Sequence, residues 1–221
     1  MDQTPTFFSM LPTKILSPIG ARTVYVQSST SSTMRVTVSV CVTASGKMLP
    51  PLIIFKGKPN RRIKREFSRY NQGVIYAVQE NAWMDERVMK IWIEKVLTPY
   101  AATAPQGIQP ILLLDYYRCH QMQSVLQSIQ HTGTDVMHIP AGCTGLCQPV
   151  DVGITKPMKD RVQNSWEDWM VDQGVETFRF NPHRDTLSKW IIESLQTLGE
   201  PLIRNSWRHG QFAYFEEEDL H

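Results

Sequence analysis

The run Leu112-Leu113-Leu114-Asp115 carries three apolar residues straight into an acid, and Gln148-Pro149-Val150-Asp151 delivers a second acid behind a proline. A short apolar run reads as a buried strand, which places Asp115 at the rim of a sheet, where a rigid platform presents functional groups. Two carboxylates brought together there could hold a divalent cation through hard oxygen ligands. Taken singly, Asp115 also fits a strand-end acid that caps the next helix, and Asp151 fits a helix N-cap.

The elements that must position these acids follow from periodicity. Thr23-Val24-Tyr25-Val26 reads as a strand. Met34 to Val42 reads as another, with Val36, Val38, Val40 and Val42 on one face and Arg35, Thr37, Ser39 and Cys41 on the other. A turn at Ala44-Ser45-Gly46-Lys47 leads to a third strand, Leu52 to Phe55, so three antiparallel strands in series are expected, with a further short segment near Val74 to Val78. Val88, Ile91, Trp92 and Val96 recur at helical spacing behind an Asp85 cap, and Pro99 is expected to stop that helix. Strand Ile111 to Asp115, helix Met122 to Gln130 and strand Val136 to Ile139 form a β-α-β unit with parallel strands. Helices are expected from about Thr155 to Val171 and from Asp185 to Leu198, followed by a solvated acidic tail at Glu216 to Asp219.

At 221 residues and 42% hydrophobic content the chain can bury one sizeable core. A net charge of +2 is too mild to announce a nucleic-acid partner by composition. The four cysteines stand in a chain without a secretory signal pattern, which favours a reducing compartment over disulfides. Its longest apolar stretches fall well short of the roughly 20 residues that span a bilayer, so no membrane partner is expected.

Three antiparallel strands, a helix and then parallel β-α-β is the order of a ribonuclease-H-like α/β fold with flanking helices. Ordered motifs along nearly the whole chain resemble the DDE superfamily endonuclease domain of pogo and Tigger-like transposases, to which centromere protein B and jerky-type proteins are related. Met1-Asp2-Gln3-Thr4-Pro5 is similar to the segment that carries the family's first acid. Gly46-Lys47-Met48-Leu49-Pro50-Pro51-Leu52 through Lys58, and Ala82-Trp83-Met84, follow in register. Leu112 to His120, then His138-Ile139-Pro140 through Gln148-Pro149-Val150-Asp151 to Lys156-Pro157-Met158-Lys159, and finally Ile203 to Trp207, complete the match.

The resemblance implies a catalytic site in which Asp2, Asp115 and Asp151 hold two Mg²⁺ or Mn²⁺ ions for DNA phosphodiester cleavage and strand transfer. It also implies a nuclear location, transposon ends and target DNA as partners, a possible homodimer, and an N-terminal helix-turn-helix region in the full-length family. The alternative is a domesticated or decayed fragment that keeps the fold as a DNA-binding or scaffold protein. A weaker alternative is a nuclease acting on RNA hybrids. Because Met1 directly precedes Asp2, the first strand is expected to be largely missing, and the chain is read as truncated at its N-terminus. An endonuclease domain over residues 1–179 and a C-terminal helical extension with an acidic tail over 180–221 are expected. Tyr116 stands where the family commonly has Asn.

The concentrated basic run Lys56, Lys58, Arg61, Arg62, Lys64, Arg65 and Arg69 fits either a solvated loop or a phosphate contact. Cys143, Cys147, Cys119 and His120 could be read as a zinc set, but the spacing is not that of a standard knuckle, and packing explains the residues adequately. His120 is read as a structural or substrate-side residue rather than a ligand, and not as catalytic, and the tryptophans mostly as core.

Overall fold

The computed structural model describes residues 1–10, 19–20, 22, 34–173 and 181–212. The strand expected at Thr23 to Val26 and the tail at Glu216 to Asp219 lie outside the described residues.

Four strands build the main sheet in the order β1-β2-β3-β4. β1 (Asp2–Phe7) pairs antiparallel with β2 (Arg35–Val40), in a register that sets Asp2 across from Val40 and Phe7 across from Arg35. β2 pairs antiparallel with β3 (Leu52–Lys56), and β3 pairs parallel with β4 (Ile75–Gln79). The basic loop and the short helix α1 (Arg62–Glu66) supply the crossover that this parallel pair requires. Among the described residues, three antiparallel strands in series are therefore present, with Asp2–Phe7 as the first.

The expectation that the first strand would be largely missing is corrected: six residues of β1 pair along the whole of β2. The strand runs forward from the acid rather than ending at it. The bond from Phe8 N–H to the Met34 carbonyl fixes which residues face β2. Antiparallel pairing alternates, so even-numbered residues of β1 bond to β2 and the odd ones point their N–H groups to the open side. Pro5, which has no N–H, falls on that open side, where a proline costs the ladder nothing.

Asp85 caps α2 (Glu86–Trp92) by accepting the Val88 N–H at 2.9 Å. Contrary to expectation, Pro99 does not stop the helical run. A π-helical turn over Ile93–Leu97 leads into α3 (Thr98–Ala101), with Pro99 in its first turn, where a missing N–H is tolerated. Thr98 Oγ1 donates to the Ile93 carbonyl at 2.9 Å, satisfying an acceptor at the widened turn.

β5 (Ile111–Leu114), α4 (Gln123–Gln130) and β6 (Asp135–His138) form the expected β-α-β unit, with β5 and β6 a separate two-stranded parallel pair. α5 (Thr144–Cys147), a π-helical turn (Val150–Ile154), α6 (Thr155–Gln173), α7 (Arg184–Gln196) and α8 (Glu200–His209) follow.

Two apolar layers cover the sheet faces. On one, Val36, Val38 and Val40 pack with Ile154, Met158 and Val162 of the α6 segment and Leu187, Ile191 and Leu195 of α7. On the other, Leu52 and Ile54 of β3 share a cluster with Leu112 and Leu114 of β5, Val88 and Trp92 of α2, and Val125 and Ile129 of α4. That second layer bridges the two sheets. They also touch directly, through the Met1 α-ammonium, which donates to the Leu113 carbonyl at 2.9 Å. Trp92, Trp166 and Trp190 are buried, as expected of core residues, whereas Trp83 is 52% exposed.

Candidate active site

Alternation along β1 sends Asp2, Thr4 and Thr6 to the α6 side of the sheet and Gln3 to the other. Asp2 therefore meets the π-helical turn, and its carboxyl hydrogen-bonds to that of Asp151. Burial, reinforced by the neighbouring Asp151 charge, pushes the Asp2 carboxyl up to about 7. Asp151 lies within the π-helical turn that Pro149 begins, and its side chain caps no helix, so the N-cap reading of this residue does not hold. Gly153, two residues on, lets this turn touch α8: a Cβ at Gly153 would sit 2.5 Å from Ser206 Cβ. Glycine is thus required for close approach at the turn that carries the acid.

Asp115 follows the last residue of β5. Its Oδ1 accepts from the Tyr117 N–H at 3.3 Å and from His120 Nδ1 at 2.6 Å. His120 is completely buried, and its Nε2 lies 3.0 Å from Gln3 Nε2. With Nδ1–H donating to Asp115, Nε2 is left to accept from the Gln3 amide. A chain of side-chain contacts thus runs from β1 through His120 to the acid of β5. Burial works against ionisation of Asp115, but the hydrogen bond from His120, with the Tyr117 N–H, holds its carboxyl below the ordinary range.

Gln148 and Lys159, to which the sequence reading gave no role, stand near the same acids. Gln148, almost fully buried, donates from Nε2 to the Met1 carbonyl at 3.4 Å, while its Oε1 and the Thr155 hydroxyl have no hydrogen-bond partner among the described residues. Lys159 is half-buried on α6, two turns beyond Asp151. Burial pulls its ammonium below the ordinary range, and the charges of Asp151 and Asp2 oppose that. A four-residue spacing along Asp151, Thr155 and Lys159 is the signal that could have found Lys159, since it sets these residues near one helical face.

Asp2 and Asp151 are in contact, but among the described residues no three His, Cys, Asp or Glu side chains converge closely enough to share one cation. Asp2 beside Asp151, with the unpartnered Oε1 of Gln148 near the head of β1, supplies carboxylate and amide oxygens of the hard-donor kind that a Mg²⁺- or Mn²⁺-type cation takes. Cys119 is buried beneath α2, and burial with the Asp85 and Glu86 charges raises its thiol to about 11. Cys143 and Cys147 lie one turn apart, Cys147 Sγ donating to the Cys143 carbonyl.

The basic residues of the Lys56 to Arg69 run lie away from the acids, on the outer surface of the crossover. Lys56 ends β3 beside the Val36 end of β2, whereas Asp2 pairs at the Val40 end and two strands away. Standard strand rise and spacing put the two roughly 20 Å apart. Arg62 and Arg184 both pair with Glu66, at 3.7 and 3.3 Å, and Lys64 donates to Asn60 Oδ1 at 2.8 Å.

Comparison with known proteins decides the family, since the model described as DDE superfamily endonuclease matches residues 33–207. The chain belongs to the DDE superfamily endonucleases. It is 28% identical over 173 residues to the mouse "Pogo transposable element with KRAB domain", covering 77% of this chain and 27% of that protein. It is 25% identical over 163 residues to the human "Pogo transposable element with ZNF domain", covering 74% and 11%. The "CENP-B homolog protein 2" of Schizosaccharomyces pombe is 23% identical over 215 residues, covering 92% and 39%. This DDE chain thus spans about a quarter of the length of the first of these relatives. No solved structure matches it. No described helix is long and apolar enough to cross a membrane.

Proposed function

We propose that this DDE domain cleaves DNA phosphodiesters and joins strands, using Asp2, Asp115 and Asp151 with divalent cations, on transposon ends and target DNA in the nucleus. The observation that carries the reading is the contact between Asp2 at the head of β1 and Asp151 in the turn before α6. The Met1 bond to Leu113 supports reading β5 and β6 as the continuation of the β1 edge, which is the ribonuclease-H-like arrangement. In the same reading, α7 and α8 are a helical extension of the domain.

Asp2 and Asp151 would hold a cation between them, and Asp115 would join through the oxygen that His120 leaves free. When bound, such cations activate the attacking water or 3′-hydroxyl and stabilise the leaving oxygen. His120 is a positioning residue. By fixing one Asp115 oxygen and drawing Gln3 to its other nitrogen, it keeps the carboxylate ionised and aimed. Lys159 supplies positive charge beside the acids, where a phosphate would enter.

The test is Mg²⁺- or Mn²⁺-dependent nicking of supercoiled DNA by the 221-residue chain. Asp115→Asn and Asp151→Asn are each expected to abolish it, and cleavage that survives both defeats the assignment. The second reading is a DNA-binding scaffold without catalysis. It is favoured by one observation: among the described residues the three acids do not converge. DNA binding with no cleavage in any divalent cation selects that reading.

A further inference from the structure

Tyr116, the residue next to Asp115, is not accounted for by packing. The residue is 54% exposed, and among the described residues its one aromatic contact is with His138 at the end of β6, centroids 5.2 Å apart and planes tilted by 44°. The backbone around it is nevertheless held firmly. Asp115 Oδ1 takes the Tyr117 N–H, the Gln121 side chain donates to the Tyr116 carbonyl, and the His120 N–H bonds to the Tyr117 carbonyl within the 3₁₀ turn Arg118–Gln121. An exposed aromatic ring is thus presented from a rigid loop rather than a mobile one. Arg118, two residues on, is also exposed, and among the described residues it has no carboxylate within ion-pair distance. Underneath, His138 Nε2 is buried and has no hydrogen-bond partner among the described residues.

A rigid ring with an open side, a guanidinium beside it and a candidate catalytic carboxylate one residue away match the requirements of single-stranded nucleic acid. Every base has a face to stack on an aromatic ring, while the adjoining phosphate is met by a cation. We propose that Tyr116 is a stacking platform for an unpaired nucleobase flanking the phosphate held at Asp115, with Arg118 on the neighbouring phosphate. The proposal rests on the DNA-cleaving reading of the Asp115 site. A phosphate inside duplex is reached more easily when its neighbouring base leaves the stack, and the platform offsets the cost of that unstacking.

The experiment measures affinity in Ca²⁺ for three probes: a single strand of about 20 nucleotides, a forked duplex with unpaired ends and a fully paired duplex of the same sequence. Tyr116→Ala is expected to weaken single-strand and fork binding roughly 5- to 150-fold while changing duplex binding less than about twofold. Tyr116→Phe keeps the ring and is expected to match wild type, which excludes a role for the hydroxyl. Salt dependence should be unchanged in Tyr116→Ala and shallower in Arg118→Ala. Equal weakening on all three probes, or no weakening on the fork, overturns the proposal even if the chain still cleaves DNA. If wild type binds none of the probes, the DNA-handling reading itself fails. An unaltered urea midpoint for Tyr116→Ala confirms that the fold is intact.

Discussion

Replacing Asp2 by Asn should make the protein more stable at alkaline pH while destroying the candidate site. Burial and Asp151 raise the Asp2 carboxyl from 3.8 to about 7, a difference of order 4 kcal/mol at about 1.36 kcal/mol per pH unit. The sign follows from proton linkage. Between those values the folded chain holds a proton that the unfolded chain has released, so this contribution is full below about pH 4 and is lost as pH rises through about 7. Wild type should therefore lose a few kcal/mol of stability between about pH 5 and about pH 8 that Asp2→Asn does not lose. Asp151→Asn removes the second cause but leaves burial, so the loss should shrink rather than vanish. Urea midpoints at the two pH values, in EDTA, read the difference directly. A divalent cation at roughly a hundredfold excess over its dissociation constant should restore about 2.7 kcal/mol at the higher pH and much less at the lower, where the proton occupies the pair. An identical pH-dependent loss in wild type and Asp2→Asn would refute the reasoning.

His120→Ala removes a buried partner from Asp115 and should cost about 1–3 kcal/mol in a denaturant titration. Because Asp115 is held below its ordinary range, its contribution is present above the unfolded value and lost as pH falls through the folded one. The variant should thus begin acid unfolding at a higher pH by circular dichroism. Gly153→Ala puts a methyl group against Ser206 and should cost about 1–3 kcal/mol, with partial recovery in a Gly153→Ala/Ser206→Gly double variant. Neutralising Arg61, Arg62, Lys64 and Arg65 together should flatten the log-log salt slope of duplex binding by up to about 0.9 for each phosphate left without its cation. Their loop follows Lys56, itself roughly 20 Å from Asp2 or some six base pairs of duplex, so cleavage chemistry on bound DNA should be unaffected. An unchanged slope would make them a solvated loop.

The sheet's interior is readable in the sequence because its residues obey simple periods. Val36, Val38 and Val40 alternate, Leu112 to Leu114 run apolar into an acid, and Asp85 caps the helix it precedes. β1 is hidden because the side chains it buries are polar. Asp2, Thr4 and Thr6 are buried polar groups at the site, and Pro5 sets its missing N–H on an open edge, so the segment carries no strand signature. Asp115 and Asp151 can be picked out because each stands next to apolar or proline punctuation. Their local partners cannot. His120 reaches Asp115 through a 3₁₀ turn rather than a helix repeat, and Gln3 reaches His120 from 117 residues away in the chain. β4 is legible as a segment but not as a parallel neighbour of β3, because a basic loop gives no sign that it is a crossover.

The most direct measurement of the central claim is an anomalous-difference map from crystals of the chain grown or soaked with Mn²⁺. The account predicts a peak coordinated by the Asp2 and Asp151 carboxylates, with Asp115 drawn in on the oxygen that His120 leaves free. A map in which those two carboxyls stay hydrogen-bonded to each other and Mn²⁺ binds elsewhere, or nowhere, would contradict it.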